Sequence, residues 1–160
     1  MIKKMFNRKG ITLLELLTVV VLIGIVASLA AANYDNAITK IRHKSTVRGL
    51  LGKMRMARSD AISKAGRYGI YINTANDYYI FFRNMANDTT YDAGTDSVKD
   101  STELSSNISF GSCTFDSCPA VFKGDGSAMQ SGYIEVVNDK NSKTTRINVT
   151  AAVGRVYLSE

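Results

Sequence analysis

The sequence is short of the residues from which most catalytic and metal sites are built. One histidine, His43, and two cysteines, Cys113 and Cys118, occur in 160 residues. The cysteines have four residues between them, and neither belongs to a CxxC pattern or lies near His43 in the sequence, so zinc and thioredoxin-like chemistry are poorly supported. There is no P-loop, no dinucleotide-binding glycine pattern and no Ser/His/Asp set that can be placed on the chain. The expectation is a protein that is not an enzyme and that carries no cofactor or metal. His43 reads as a hydrogen-bonded packing residue on a helix face rather than a base or ligand. In an oxidising compartment the two cysteines would close a small disulfide loop; the other reading is two buried free thiols.

Acidic residues are also missing where a long helix begins. From Ile11 to Ala32 the only charge is Glu15, and at about 1.5 Å per residue such a helix matches the apolar thickness of a bilayer. Four basic residues, Lys3, Lys4, Arg8 and Lys9, stand just before it, and residues 1 to 10 hold no acid. Removing those ten residues takes the formal charge from +6 to +2. By the positive-inside rule the N-terminus stays in the cytoplasm, and the remainder is exported as a single-pass periplasmic domain. An ordinary cleaved signal peptide, with Ala30-Ala31-Ala32 as its small residues, fits the same charge and hydropathy. It leaves Glu15 unexplained, because a carboxylate in an apolar span is costly and normally has a partner. A chain cut between Gly10 and Ile11 would supply one, in the form of a new α-amino group four residues upstream.

Lys9-Gly10-Ile11-Thr12-Leu13-Leu14-Glu15-Leu16 resembles the class III signal of type IV pilins and type II secretion pseudopilins. The resemblance implies that a prepilin peptidase cuts after Gly10 and methylates Ile11, and that Glu15 registers an incoming subunit against its neighbour. Two features depart from the usual pattern: Ile11 stands where phenylalanine is commonest, and the frequent late proline is absent.

Past the apolar run the chain from Asn33 to about Ala65 has no proline and is rich in good helix formers, so the helix is expected to continue until Gly66 stops it. Val47, Leu50, Leu51, Met54, Ala57, Ala61 and Ile62 share one sector at 100° per residue, while Ile38 and Ile41 project elsewhere. Between Lys40 and Arg67 there are nine basic residues and one acid, Asp60. Lys44, Arg48 and Arg55 fall along one flank; Arg42, Lys53, Lys64 and Arg67 fall along the other. Such cations either neutralise phosphates or pair with acids of neighbouring subunits.

The remainder reads as short strands, at 68–73, 78–83, 108–111, 120–123, 133–137, 145–149 and 153–158, separated by turns at 74–77, 124–126 and 139–143. Residues 84–107, with Asp88, Asp92, Asp96, Asp100 and Glu103, read as a solvated acidic loop without the spacing of a calcium site. The fold class expected is α+β, a long N-terminal helix packed against a C-terminal antiparallel sheet. Its divisions are a leader at 1–10, an apolar helix at 11–32, an amphipathic continuation at 33–66 and a β-rich domain at 67–160.

Three C-terminal fragments, Phe122 to Ala128, Arg146 to Val149 and Gly154-Arg155-Val156, resemble the GspH/FimT family. That family comprises minor pilins and the H-type minor pseudopilin. The resemblance implies a structural subunit that sits in the inner membrane and then joins other major and minor pilins in a helical filament, a pilus. Two alternatives are the H-type pseudopilin of a type II secretion machine and a DNA-binding minor pilin. Some family members capture DNA near a C-terminal Gly-Arg motif, which makes Lys44, Arg48, Arg55 and Arg155 the candidate contacts. Tyr157 stands here where a second arginine would strengthen that motif.

Overall fold

The computed structural model describes residues 11–86 and 88–159. Its elements are one helix, α1 (Leu13–Ser63), and eight strands. The chain divides into two compact units, one up to Ala37 and one from Ile38 onward.

In the first unit, Thr12 caps the helix. Its Oγ1 accepts the Glu15 N–H at 3.2 Å, and its carbonyl accepts the Leu16 N–H at 3.1 Å. Thr12 is thus the N-cap, and Glu15 stands at the third helical position, where a carboxylate meets the positive end of the helix dipole. Thr18 and Ser28, the hydroxyl residues of the run, donate to the carbonyls of Glu15 and Ile25, both at 2.8 Å, which leaves the surface of the run apolar.

In the second unit, Thr39, His43, Val47, Leu50, Met54, Ala57 and Ala61 are all buried. Their spacing of three and four residues is one continuous helical stripe. Ile41 lies off it and is 64 % exposed, while Ile38 is half-buried. Ile62 departs from the reading of the wheel at 49 % exposed, because it sits at the edge of the sector beside the turn at Gly126. The helix end also departs from expectation by one residue. Ala65, not Gly66, takes the left-handed conformation (φ 46°), and Gly66 N–H reaches back to the Ala61 carbonyl at 3.0 Å. This is a Schellman closure with alanine in the position usually given to glycine.

The strands are β1 (Tyr68–Asn73), β2 (Tyr78–Arg83), β3 (Ser97–Glu103), β4 (Ile108–Cys113), β5 (Pro119–Phe122), β6 (Gly132–Asn138), β7 (Lys143–Thr150) and β8 (Arg155–Ser159). They form two antiparallel four-stranded sheets rather than one, in the orders β3-β2-β1-β5 and β4-β6-β7-β8. Both turn the stripe of α1 into a single core: Ile70, Ile72 and Phe81 come from the first sheet, and Ile134, Val136, Ile147 and Val156 from the second. Each such aliphatic side chain contributes about 1.5–3 kcal/mol by leaving water.

Residues 84–107 are not a solvated loop. Ser97–Glu103 is an edge strand paired with β2. The segment before it is held from within: Asp96 is buried, and its carboxylate accepts the N–H groups of Met85 at 2.8 Å and Asp92 at 3.0 Å. Tyr91 from the same segment stacks on Tyr71 and meets Phe82 edge-on, with centroids 4.8 and 4.9 Å away. This explains why Phe81 and Phe82, neighbours on opposite faces of β2, are both buried. One faces the helix and the other faces this flap.

Candidate functional site

Every described side chain from Ile11 to Leu29 is exposed, the large apolar ones included. A helix long and apolar enough to cross a membrane that buries none of that face within its own chain is not the core helix of a soluble domain. Gly10 lies outside the described residues. Ile11 and Glu15 lie within this exposed segment, and the Glu15 amide is tied to Thr12.

The basic residues separate into two sets with different surroundings. Lys53 meets Asp100 at 2.5 Å, Lys64 meets Asp60 at 2.6 Å, and Arg42 donates to Ser106 Oγ at 2.9 Å. The hydrogen bond from Lys53 and its charge hold Asp100 below its ordinary pKa. The Asp60 hydrogen bond raises Lys64 above its own. This flank is occupied by the domain itself.

The other flank carries three of the four candidate DNA contacts, the fourth, Arg155, standing on β8, and the structure divides the four between two cavities. Lys44 and Arg48 line one of about 460 Å³, together with Lys40 and Lys143. Arg55 and Arg155 line another of about 520 Å³, together with Arg58 and Ser59. Neither is lined by a carboxylate among the described residues. In the second cavity Arg55 Nη2 donates to the Val156 carbonyl at 3.4 Å and Arg58 Nε to the Gly126 carbonyl at 2.8 Å, while the Arg155 guanidinium lies 5.2 Å from the Tyr157 ring. The guanidiniums are positioned by backbone oxygens rather than neutralised by acids. Lys40, Arg58 and Lys143 were not among the sequence candidates. Lys40 and Arg58 were legible in principle, because they stand four residues before Lys44 and three after Arg55, spacings that share a helix face. Lys143 comes to the site only through the β6–β7 hairpin.

His43 is buried, with Nε2 3.1 Å from the Val136 carbonyl, so that nitrogen carries the proton and the ring packs as expected. Cys113 and Cys118 form a disulfide, with Cα atoms 6.0 Å apart. It closes the crossover from the end of β4 in one sheet to the start of β5 in the other, and Phe115 is buried beneath that loop.

Two sequence families match the chain. The prokaryotic N-terminal methylation motif matches residues 5–31. The family described as type II transport protein GspH matches residues 46–152, 107 of the 160 residues. The chain belongs to the GspH family. Solved structures agree with this at the level of fold. The minor pseudopilin EpsH from the type 2 secretion system of Vibrio cholerae is 11 % identical over 74 % of this chain and 96 % of its own, with a TM-score of 0.57. The type IV minor pilin FimU of Pseudomonas aeruginosa is 12 % identical over 76 % of this chain and 90 % of its own, with a TM-score of 0.59. Comparison with curated proteins finds no match. This GspH-family chain is therefore a type IV pilin-like protein, and it shares the fold of EpsH and FimU.

Proposed function

We propose that this chain is a minor type IV pilin, a structural subunit that helps to initiate or cap a pilus. The observation that carries the reading is the fully exposed apolar helix at 11–29, which needs lipid before assembly and neighbouring helices after it. The prepilin peptidase is the processing partner, removing residues 1–10 and methylating Ile11. Glu15 then neutralises the new amine, and other major and minor pilins supply the packing partners. The domain faces the periplasm while the subunit waits in the inner membrane. Mass spectrometry of the membrane-extracted protein tests the processing step: a methylated N-terminus at Ile11 is expected, and a start at Asn33 overturns the reading. Deletion of the subunit, scored separately for pili, secretion and transformation, is expected to reduce pili first. A defect confined to secretion favours the H-type pseudopilin.

A second reading, DNA capture, is favoured by the grouping of Arg55, Arg58 and Arg155 around one cavity without a lining carboxylate. A gel shift at rising salt tests it, since phosphate contacts give a steep salt dependence and no shift at low salt excludes it.

A further inference from the structure

The cavity between α1 and the β6–β7 hairpin has the composition of an oxyanion site. Lys40, Lys44 and Arg48 line it at a spacing of four residues, so successive like charges stand one above another on the helix, an arrangement that weakens a helix by itself. None of the three side chains has a hydrogen bond or ion pair among the described residues. Lys143 comes from the facing hairpin, and no Asp or Glu lines the space among the described residues. Beside the Thr145 hydroxyl, which can donate or accept, two asparagines line the space with their side-chain oxygens engaged. The Asn138 side-chain oxygen accepts the Lys140 N–H at 3.1 Å, and the Asn141 side-chain oxygen accepts the Lys143 N–H at 3.0 Å. With those oxygens committed to the turn, the amide N–H₂ groups are what the two asparagines have left to offer. The His43 ring, fixed through Nε2 to Val136, forms part of the wall. The volume, about 460 Å³, exceeds what a single small ion fills.

We propose that this cavity binds a phosphate group, carried either by the headgroup of an acidic phospholipid or by a soluble phosphate. Several donors converging on one concave space suit an anion with several acceptor oxygens, and flexible lysines grip it as point charges. An acidic lipid is a natural source because Lys40 follows the apolar run by only eight residues in sequence. The cavity of Arg55 and Arg58 is a weaker candidate, since its guanidiniums already donate to backbone carbonyls. The proposal stands on the cavity and not on the assembly role, and it remains testable if the subunit proves to serve secretion.

The test uses the full chain in non-ionic micelles, with amide chemical shifts of Lys44, Asn141 and Lys143 as the readout. One arm adds inorganic phosphate or glycerol phosphate; the other dopes the micelles with phosphatidylglycerol, against phosphatidylcholine. Saturable shifts in either arm are expected, and the arm that responds names the source. Lys44→Gln with Arg48→Gln is expected to weaken binding at least tenfold, whereas Lys99→Gln leaves it unchanged. Lys44 and Arg48 are both exposed, so the double variant is expected to keep the wild-type unfolding midpoint. Absence of saturation in both arms, equal binding by the double variant, or a response to a DNA strand alone overturns the proposal.

Discussion

At the scale of single residues, the charges that look alike in the sequence do different work. Asp96 is a buried acceptor for two backbone amides, while Asp100, four residues on, bridges the edge strand to Lys53 on the helix. Asp88 is held below the ordinary carboxylate pKa chiefly by the Thr90 amide, and Glu135 chiefly by the hydrogen bond from Arg146. A carboxylate depressed by folding binds protons more weakly in the native state than in the unfolded one. Its contribution is complete above the unfolded value and is lost as pH falls through the folded value. Tyrosine fluorescence during urea unfolding is therefore expected to give a steady midpoint from neutral pH to about pH 5 and a falling one below about pH 4. Asp100→Asn is expected to lower the neutral midpoint slightly and to make the acid fall shallower; an unchanged acid limb removes the Lys53 bridge from the account. Two glycines predict opposite signs. At Gly154, φ is 56° and an added Cβ would lie 2.1 Å from the Gly126 carbonyl oxygen, so Gly154→Ala is expected to cost about 1–3 kcal/mol and to loosen Arg58. At Gly52, in mid-helix with open space around it, alanine is expected to stabilise by up to about 1 kcal/mol. The same unfolding curves read both.

At the scale of elements, legibility followed the contrast between apolar and polar positions. β1 and β2 were read to the residue because Tyr68–Asn73 and Tyr78–Arg83 are dense in β-branched and aromatic side chains around an Asx turn, in which Asn73 Oδ1 accepts the Ala75 and Asn76 amides. β3 escaped because its sole large apolar residue, Val98, is half exposed, and an edge strand with one wet face has nothing to alternate. The two-sheet division was hidden for another reason. It depends on β4 and β5 being adjacent in sequence yet belonging to different sheets, which no local pattern reports. The cysteines stand at that crossover. Closing so short a loop restrains the unfolded chain by about 2 kcal/mol, and here it also holds Phe115 in the core. Cys113→Ser with Cys118→Ser is expected to lower stability by about that amount while leaving the far-UV circular dichroism unchanged. A loss below about 0.5 kcal/mol would mean that Phe115 and the strand pairing hold the crossover without the bond.

At the scale of the whole molecule, two kinds of surface are unsatisfied within the chain, and they make separate demands. The domain from Ile38 onward has its core, its hairpins and one flank of its helix closed by its own residues. The segment at 11–29 is exposed throughout, its single charge, Glu15, has no ion pair among the described residues, and Gly10, where cleavage is proposed, lies beyond what the structure describes. The role proposed for Glu15 calls on groups outside this subunit, an amine created by processing and a neighbour supplied by assembly, so it is argued from the sequence motif and tested by assembly. The cap at this end is Thr12 Oγ1 accepting the Glu15 backbone N–H, which any residue at 15 supplies, so cap and charge can be removed separately. Glu15→Gln and Glu15→Ala remove the charge and keep the cap; Thr12→Ala removes the cap and keeps the charge. If charge pairing governs assembly, both Glu15 variants are expected to insert into the membrane at wild-type levels and to fall at least tenfold in pelleted filaments, while Thr12→Ala assembles like the wild type. If capping governs, Thr12→Ala is expected to fail and the Glu15 variants to assemble. Quantifying the subunit in membrane and sheared-filament fractions separates the two, and normal incorporation of Glu15→Ala would remove the charge-pairing role from this position.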